Sequence, residues 1–231
     1  MKAMILAAGL GKRMRPLTDY LPKPLLPVAG RPLIEHHLMR LQAAGVREVI
    51  INIAHLGHLV RESLGDGSRF GLSIEYSEEG KPLETGGAIN RVLSQLGEDP
   101  FLLINGDVWT DCDLRALIQS DLPEACLGHL LLVPNPDHCE QGNFCFREGG
   151  DGVLQPLTQG CDSFTFSGVS VLRPQLIADF PERREYFPLR EAFFWAMDQG
   201  RLRGEVFTGH WVDVGTPERL QQLDRLLSQG D

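Results

Sequence analysis

The segment Leu6-Ala-Ala-Gly-Leu-Gly-Lys-Arg-Met-Arg-Pro-Leu-Thr18 joins an apolar strand to a turn rich in glycine and basic residues. Gly9 and Gly11 lack the side chains that would keep backbone N–H groups from closing around phosphate oxygens. Arg13, and Lys23 a little further along, add positive charge within reach of the same turn. This segment, the glycine turn, is therefore predicted to bind a triphosphate, and a strand that leads into it indicates an α/β fold.

The apolar stretches of the chain follow the order expected of alternating strands and helices. Continuous rather than alternating apolar runs indicate strands covered on both faces, and hence a mostly parallel sheet. The predicted strands are Met4–Ala8, Val49–Ile53, Leu72–Tyr76, Phe101–Ile104 and Leu127–Val133, and the predicted helices are Leu33–Ala44, His58–Leu64, Gly87–Leu96 and Leu114–Ser120. This order predicts a three-layer α/β/α sandwich with a Rossmann-like sheet.

The pattern changes after about Pro134, where Asn, Asp, Gly and Cys separate short segments. Hairpin strands are predicted at Asn143–Arg147 and Phe164–Leu172, helices at Leu189–Met197 and Pro217–Leu227, and a strand at Leu202–Phe207. The chain is expected to form one domain with a small inserted β-rich lobe. Its predicted parts are a core (1–133), the lobe (134–210) and a closing segment (211–231).

The charge of the chain limits its partners. The formal net charge is −9, whereas nucleic acids and anionic membranes require a broad basic surface. Neither is therefore expected as a main partner, and an anion site must be local. The basic residues between positions 12 and 23 fit that requirement.

The cysteines and the N-terminus bear on the cellular compartment. Five cysteines, an odd number without a C-x-x-C pair, predict neither a disulfide framework nor a zinc site. The apolar stretch Met1–Ala8 is too short for a signal peptide or a membrane span. A reducing cytoplasm is therefore the expected location.

Two common phosphate-binding motifs do not match the glycine turn. Met14 occupies the third glycine position of G-x-G-x-x-G, and Asn52 stands where an acidic residue would end the second strand. Both residues count against a Rossmann-type oxidoreductase. A Walker A loop does not fit either, because no Gly-Lys-Ser/Thr follows at the required distance.

Two aspartates follow apolar strands and are candidates for metal binding. Asp107 comes directly after Leu102–Gly106, and Asp213 lies in His210–Thr216, just before a predicted helix. Carboxylates at the C-terminal ends of strands suit an octahedral Mg²⁺ that shares phosphate oxygens. Each aspartate alone would also fit a turn or a helix cap.

The glycine turn belongs to a longer pattern. Residues 6–18 read L-A-A-G-x-G-x-R-x-x-P-L-T, and residues 22–28 read P-K-P-L-x-P-V. This pattern resembles the signature of the sugar-phosphate nucleotidyltransferases, which transfer a nucleoside monophosphate group to a sugar 1-phosphate. The resemblance implies a set of nucleotide-binding residues: Leu6, Ala7, Ala8, Gly9, Gly11, Lys12, Arg13, Lys23, Glu84, Thr85 and Gly86.

The same resemblance implies roles for individual residues. Arg13, Lys23 and Asp107 would be catalytic: Arg13 would hold the triphosphate with Gly11, and Lys23 would bridge the α-phosphate and the incoming sugar phosphate. Asp107 and Asp213 would bind Mg²⁺. Residues 6–9 would line the base and ribose, as would residues 84–86, although Thr85 would equally suit a helix cap.

The acceptor site is expected from four further residues: Asn105, Asn143, Ser167 and Gly168. Asparagine amides can donate and accept hydrogen bonds to sugar hydroxyl or acetamido groups, and Ser167-Gly168 resembles a Thr-Gly turn that closes the sugar site in the family. Asn and Gly are also common turn residues. The resemblance thus implies that the predicted core (1–133) mainly binds the nucleotide and that the predicted lobe (134–210) mainly binds the sugar.

Further stretches narrow the expected substrate. The segments 106–111, 142–144, 165–172 and 209–216 are most similar to bacterial family members that act on N-acetylmuramate 1-phosphate, and the Glu-Lys-Pro of many hexose 1-phosphate enzymes is missing from 157–164. The resemblance implies UTP and N-acetyl-α-muramate 1-phosphate as substrates, in the salvage of peptidoglycan sugars.

Several alternatives stay open at this point. One is a related pyrophosphorylase, such as a mannose 1-phosphate guanylyltransferase or a glucose 1-phosphate uridylyl- or thymidylyltransferase. Another is a phosphocholine cytidylyltransferase, and a third is a non-catalytic regulatory protein that binds nucleotide sugars. Arg13, Lys23, Asp107 and Asp213 together favour an active enzyme.

Overall fold

The structure of the chain, a computed structural model, describes residues 1–149 and 151–229. Within these residues the chain forms β-strands and α-helices. In chain order they are β1 (Ala3–Leu6), β2 (Pro27–Val28), β3 (Arg31–Pro32), α1 (Leu33–Ala43), β4 (Glu48–Ile53), α2 (Gly57–Leu64), β5 (Ser73–Glu78), α3 (Glu84–Arg91), α4 (Leu93–Leu96), β6 (Phe101–Asn105), β7 (Val108–Thr110), α5 (Leu114–Gln119), β8 (Gly128–Val133), β9 (Phe144–Phe146), β10 (Leu154–Gln155), β11 (Ser163–Leu172), α6 (Gln175–Ala178), α7 (Leu189–Asp198), β12 (Leu202–Val206), β13 (Trp211–Asp213) and α8 (Pro217–Ser228).

The chain divides into two compact units. The first unit contains Met1–Pro82, Ile104–Ala116 and the residues from His210 onward, and the second contains Leu83–Leu103 and Leu117–Gly209. These units are defined by compactness. The division predicted above, at residues 133 and 210, concerns the roles of the segments and stays a prediction.

The first unit contains a parallel ladder of β1, β4 and β5. Leu6 lies opposite Asn52, and Asn52 lies opposite Ser77. Most side chains of β1 and β4 are buried, which explains their continuous apolar sequences. The C-terminal ends of the three strands therefore meet at one edge, where the glycine turn begins.

A short antiparallel ribbon of β7 and β13 also belongs to the first unit. Asp213 pairs with Val108 in this ribbon, and the Val214 N–H donates a hydrogen bond to the Asp107 carbonyl over 2.8 Å. Because both aspartates lie at the same end of the ribbon, the fold brings them together from positions more than one hundred residues apart in the sequence.

An apolar cluster packs α8 against the rest of the first unit. Its buried members come from the glycine turn, from the segment 26–33 and from α8 with the residue that follows β13: Met14, Leu26, Val28, Leu33, Val214, Leu220 and Leu223. Helix α8 begins at Pro217, with Thr216 as its N-cap. The helix predicted at Pro217–Leu227 is confirmed, and Pro217 occupies the first helical position, where proline is favoured.

The second unit is built around β8. Strand β12 pairs with β8 in parallel, and β11 pairs with β8 in antiparallel fashion. Strand β9 pairs with both β11 and β10. The register of β11 shifts between Phe166 and Ser170, and Gly168 in this bulge has φ of +84°, a value that glycine adopts without strain.

One cysteine prediction is wrong. Cys145 in β9 and Cys161 form a disulfide that closes a loop of the second unit, with their Cα atoms 6.2 Å apart. The odd number of cysteines and the lack of a C-x-x-C pair predict no disulfide framework. Pairing depends on the Cα separation in the fold, and a sequence separation of 16 residues gives no sign of it.

The other elements agree closely with the sequence pattern. The five predicted core strands correspond to β1, β4, β5, β6 and β8, and the α/β class is confirmed. The predicted helix 87–96 is wrong in one respect, since it begins at Glu84 and is interrupted at Val92. Among the described residues, no helix combines the length and apolarity needed to cross a membrane.

Candidate active site

The glycine turn has a shape that depends on Gly11. This residue has φ of +60°, and a Cβ atom there would lie 2.8 Å from Cγ2 of Thr18. The Thr18 hydroxyl donates a hydrogen bond to the Gly11 carbonyl over 2.8 Å. Gly9 is exposed, whereas Ala7 and Ala8 are buried. Gly11 is thus required by the turn itself.

Asn52 supports the backbone at the start of this turn. Its side-chain oxygen accepts a hydrogen bond from the Ala7 N–H over 2.8 Å, and its amide nitrogen donates to a Glu79 carboxylate oxygen over 2.9 Å. Both side chains are buried, so the loss of one partner would leave a polar group unsatisfied. The residue that weakened the oxidoreductase interpretation therefore has a structural role beside the turn.

Met14 anchors the middle of the glycine turn. It is 1% exposed and packs in the cluster with Val214, Leu220 and Leu223. The neighbouring Lys12 and Arg13 are exposed. An apolar side chain in place of the third glycine therefore holds the turn against the segment that carries Asp213, while the basic side chains on either side face solvent.

Lys23 forms an ion pair with Asp107. The two side chains are 10% and 41% exposed, and the ammonium lies 2.7 Å from Oδ2 of Asp107. Asp107 is presented by Gly106, whose N–H donates to the Leu6 carbonyl over 2.8 Å. A Cβ atom on Gly106 would lie 2.8 Å from the same carbonyl oxygen, so only glycine allows this close approach.

Asp213 forms a second ion pair, with Arg219 of α8. Nη1 of Arg219 lies 3.0 Å from Oδ2 of Asp213, and the side chains are 16% and 19% exposed. Two carboxylates and two basic side chains thus occupy one region of the first unit. Their formal charges sum to zero, which reduces the repulsion between the carboxylates.

His37 of α1 is buried close to Gly106 and Asp107. Burial lowers its pKa from 6.5 to about 4, and Arg40 and His36 act in the same direction. The Asp107 carboxylate and a backbone hydrogen bond with Gly106 have the opposite, smaller effect. Nε2 of His37 is buried without a hydrogen-bond partner. The imidazole is therefore neutral near pH 7.

The donor atoms of this region suit a hard cation. In residues 1–149 and 151–229, no group of three or more His, Cys, Asp or Glu side chains could hold a metal ion. The two carboxylates alone would leave most positions of an octahedral ion to water and phosphate oxygens, which is the usual environment of Mg²⁺ at a nucleotide. Asp107 and Asp213 therefore fit such an ion.

The second unit contains residues 84–86 of the predicted base and ribose site, whereas residues 6–9 belong to the first unit. Thr85 is not the helix cap, because α3 begins at Glu84 after Leu83, and the Thr85 hydroxyl accepts a hydrogen bond from the Leu189 N–H over 2.8 Å. The N–H groups of Gly86 and Gly87 both donate to the Phe187 carbonyl. This contact accounts for Gly86 without a ligand, and the nucleotide role of residues 84–86 stays a prediction.

Glu84 itself has an unusual backbone. Its φ is +63°, which is costly for a residue with a side chain, and its carboxylate accepts a hydrogen bond from the Tyr186 hydroxyl over 3.0 Å. Both residues are exposed. A strained residue at an exposed helix start is a feature that binding sites often show.

The predicted acceptor residues differ in accessibility. Asn105 ends β6 and is partly buried. Asn143 is exposed, but its side-chain oxygen accepts a hydrogen bond from the Phe166 N–H over 2.9 Å. Ser167 is fully buried and its hydroxyl accepts from the Val169 N–H, so Ser167 and Gly168 shape the bulge of β11. Their substrate roles stay predictions.

Comparison with known proteins gives the family. The model of the nucleotidyl transferase family matches residues 2–230. The chain therefore belongs to the nucleotidyl transferase family. It is 48% identical over 229 residues to the N-acetylmuramate alpha-1-phosphate uridylyltransferase of Neisseria meningitidis serogroup B, with 98% of each chain covered. A protein of the same name from Caulobacter vibrioides is 34% identical over 94% of this chain and 92% of its own length.

A solved structure agrees with the fold. A crystal structure from Bacillus anthracis, described as that of a glucose-1-phosphate thymidylyltransferase, superposes with a TM-score of 0.87 over 99% of this chain and 95% of that one. At 24% identity the likeness concerns the fold alone. The family and the α/β fold predicted from the glycine turn are thus confirmed for this nucleotidyl transferase.

Three residues of the candidate site are not predicted as site residues from the sequence. Asn52 and Met14 were noticed only as departures from another motif, and Arg219 was not noticed. The partners of Asn52 and Met14, which are Ala7 and the α8 cluster, lie far away in the chain. Arg219 lies only six residues from Asp213, and the two meet because the chain turns between β13 and α8. The only local signal was an apolar methionine between basic residues.

Proposed function

We propose that this nucleotidyltransferase transfers UMP from UTP to N-acetyl-α-muramate 1-phosphate and releases pyrophosphate. The observation that carries the proposal is the meeting of Asp107, Asp213 and Lys23 beside the glycine turn. Two carboxylates and a buried ammonium next to a phosphate-binding turn suit phosphoryl transfer. The name and near-complete coverage of the Neisseria relative support UTP and the muramate acceptor.

The reaction requires positioning rather than a general base. An oxygen of the sugar 1-phosphate, already anionic at pH 7, forms a bond to the α-phosphorus of UTP. The bond from the α-phosphorus to the bridging oxygen breaks, and pyrophosphate leaves with the electron pair. The work of the chain is to align the two phosphates and to offset negative charge as it shifts toward the leaving group.

The residues divide this work among them. Lys23 neutralises charge at the α-phosphate; an ammonium has three donors, so contact with Asp107 does not by itself exclude phosphate oxygens. Arg13 binds the departing pyrophosphate. Asp107 and Asp213 would hold Mg²⁺, which when bound supplies Lewis-acid stabilisation of phosphate oxygens. Asn105, Asn143, Ser167 and Gly168 are proposed to orient the acceptor.

The reaction suits the salvage of peptidoglycan sugars. Its product, UDP-N-acetylmuramate, retains the muramate unit in an activated form. Because UTP is a cytoplasmic metabolite, we propose that the enzyme acts in the cytoplasm.

The test is a matrix of substrates. Pyrophosphate release is measured with each of four nucleoside triphosphates against the 1-phosphates of N-acetylmuramate, N-acetylglucosamine, mannose and glucose, and against phosphocholine. We expect UTP with N-acetyl-α-muramate 1-phosphate to give the highest kcat/KM, with no release when the acceptor is omitted. A clear preference for N-acetylglucosamine 1-phosphate would contradict the acceptor, and no turnover with any pair would favour a regulatory protein.

A further inference from the structure

Arg219 has no role in the proposed reaction so far, although it contacts one of the two aspartates proposed to bind the cation. It lies in the first turn of α8, and its Nη1 donates to Oδ2 of Asp213 over 3.0 Å. Both side chains are less than one-fifth exposed. Solvent therefore screens this pair less than an ordinary surface ion pair.

The helix that carries Arg219 is fixed at several points. Thr216 caps it by accepting a hydrogen bond from the Arg219 N–H, and Leu220 and Leu223 are buried in the cluster that contains Met14. Further along, the Asp224 carboxylate accepts a hydrogen bond from the Ala29 N–H over 2.8 Å. The guanidinium is therefore held by a helix that is itself anchored to the rest of the first unit.

Gly215 makes room for this contact. A Cβ atom on Gly215 would lie 2.2 Å from Nη2 of Arg219 and 3.2 Å from Oδ1 of Asp213. Its φ does not lie in the left-handed region, so the backbone does not demand glycine here. A side chain at this position would instead crowd the guanidinium, so the end of Arg219 would have to shift from its place beside Asp213.

The cation beside Asp213 also differs in kind from the one beside Asp107. Lys23 carries a compact ammonium, whereas Arg219 carries a planar guanidinium with its donors in fixed directions. Such a group fixes the orientation of a carboxylate as well as offsetting its charge. Asp213 is the last residue of a strand of only three residues and lies two positions before Gly215, so its backbone alone constrains the side chain little.

We propose that Arg219 is a positioning residue that holds the Asp213 carboxylate in the orientation in which it binds the divalent cation. The inference depends on the proposed metal role of Asp213. Hydrogen-bond partners of metal ligands commonly change metal affinity or activity 10- to 100-fold when they are removed. Arg219 therefore sets metal affinity without touching substrate.

The test uses metal binding without turnover. Mn²⁺ is titrated into the full-length protein with a non-hydrolysable UTP analogue, and free Mn²⁺ is followed by electron paramagnetic resonance. We expect Arg219→Gln to weaken Mn²⁺ binding about 10-fold or more and Arg219→Lys to weaken it less. The Mg²⁺ concentration for half-maximal pyrophosphate release should rise in parallel, with KM for the acceptor unchanged. If Arg219→Gln does not fold, the test relies on Arg219→Lys, which should still bind Mn²⁺ more weakly than the wild type.

Two further variants separate the possible outcomes. Arg225→Gln changes an exposed arginine of the same helix that donates to the Gln221 carbonyl, and should bind Mn²⁺ as the wild type does. If Asp213→Asn also binds Mn²⁺ normally, the metal assignment of the proposed function is wrong. If Asp213→Asn loses affinity while Arg219→Gln keeps or gains it, the Arg219 inference alone is overturned, even when thermal stability falls.

Discussion

Lys23 and Asp107 show how single residues are constrained at this site. The lysine side chain is 10% exposed, and a buried ammonium is tolerated only beside a partner that offsets the loss of hydration. The partner carboxylate is 41% exposed and so stays accessible to ligands. The buried Lys23 therefore stabilises the fold through this pair, and the exposed part of Asp107 remains available for the proposed reaction.

Asp107→Asn is expected to remove most turnover while leaving the protein folded. The amide keeps the shape of the side chain and can still accept a hydrogen bond from Lys23, but it lacks the charge proposed to bind the cation. Losses of this electrostatic kind are about 100- to 1,000-fold in kcat. Pyrophosphate release measures the rate, and circular dichroism checks the fold.

Asp121→Asn provides the matched control, because Asp121 is an exposed residue outside the site. It should retain the wild-type rate. Near-normal Mg²⁺-dependent turnover by Asp107→Asn would contradict the proposed role of the carboxylate.

Among the elements, helices α1 and α8 contact the segments in which Asp107 and Asp213 lie. Helix α8 contributes Arg219 and the buried leucines Leu220 and Leu223, while α1 contributes His37, which is buried next to the backbone of Gly106. Neither helix contains a predicted site residue. The positions of Asp107 and Asp213 nevertheless depend on them, because Asp107 lies between β6 and β7 and Asp213 ends a strand of three residues.

The low pKa of His37 predicts that the free energy of unfolding falls at acid pH. Its folded pKa of about 4 lies below the ordinary 6.5, so the unfolded chain binds more protons between these values. The stabilisation is complete above about pH 6.5 and is lost as the pH falls toward 4. The shift corresponds to about 3 kcal/mol. Urea unfolding across this range should show the loss.

Comparison with His37→Gln isolates the contribution of the histidine. The difference in unfolding free energy between the two proteins should shrink as the pH falls from 7 to 4, since the variant lacks the titrating group. Imidazole resonances of the wild type should stay in the neutral form to near pH 4. A His37 resonance that titrates near 6.5 would contradict the prediction.

The molecule as a whole is acidic, although its proposed substrates are polyanions. With a net charge of −9, the average surface repels UTP, and attraction depends on the local basic residues of the glycine turn. Arg13 is exposed in that turn, as is Arg15 two residues later. Arg15 pairs with Asp19 over 3.1 Å, so a carboxylate offsets the charge of Arg15. The charge of Arg13 is the one proposed to attract UTP.

Arg13→Gln is therefore expected to lower kcat/KM for UTP about 10- to 100-fold, a loss of roughly 1–3 kcal/mol of charge-assisted binding. The decline of kcat/KM with added salt should also become shallower. Arg15→Gln is the control and should stay close to the wild type. Equal losses in both variants would indicate general steering by charge and would contradict a specific role for Arg13.

Much of the fold could be predicted because the information is local. The continuous apolar runs of β1, β4 and β6 and the Thr216-Pro217 helix start are signals carried by adjacent residues. The glycine turn could be recognised for the same reason. Thr85 shows the limit of such signals: its sequence suits a helix cap, but the competing hydrogen bond from Leu189, 104 residues away, decides its place.

The sequence by itself determined the α/β class, the family and the identity of the glycine turn with Lys23, Asp107 and Asp213. Only the tertiary structure decided that Asp107 and Asp213 meet on the β7–β13 ribbon, that Arg219 holds Asp213, and that Cys145 and Cys161 are joined. The physical reason is that backbone preferences and apolar periodicity depend on neighbouring residues, whereas ion pairs and disulfides depend on the three-dimensional placement of side chains. Asp107 and Asp213 are more than one hundred residues apart, and even Arg219, six residues from Asp213, reaches it only because the chain turns between β13 and α8.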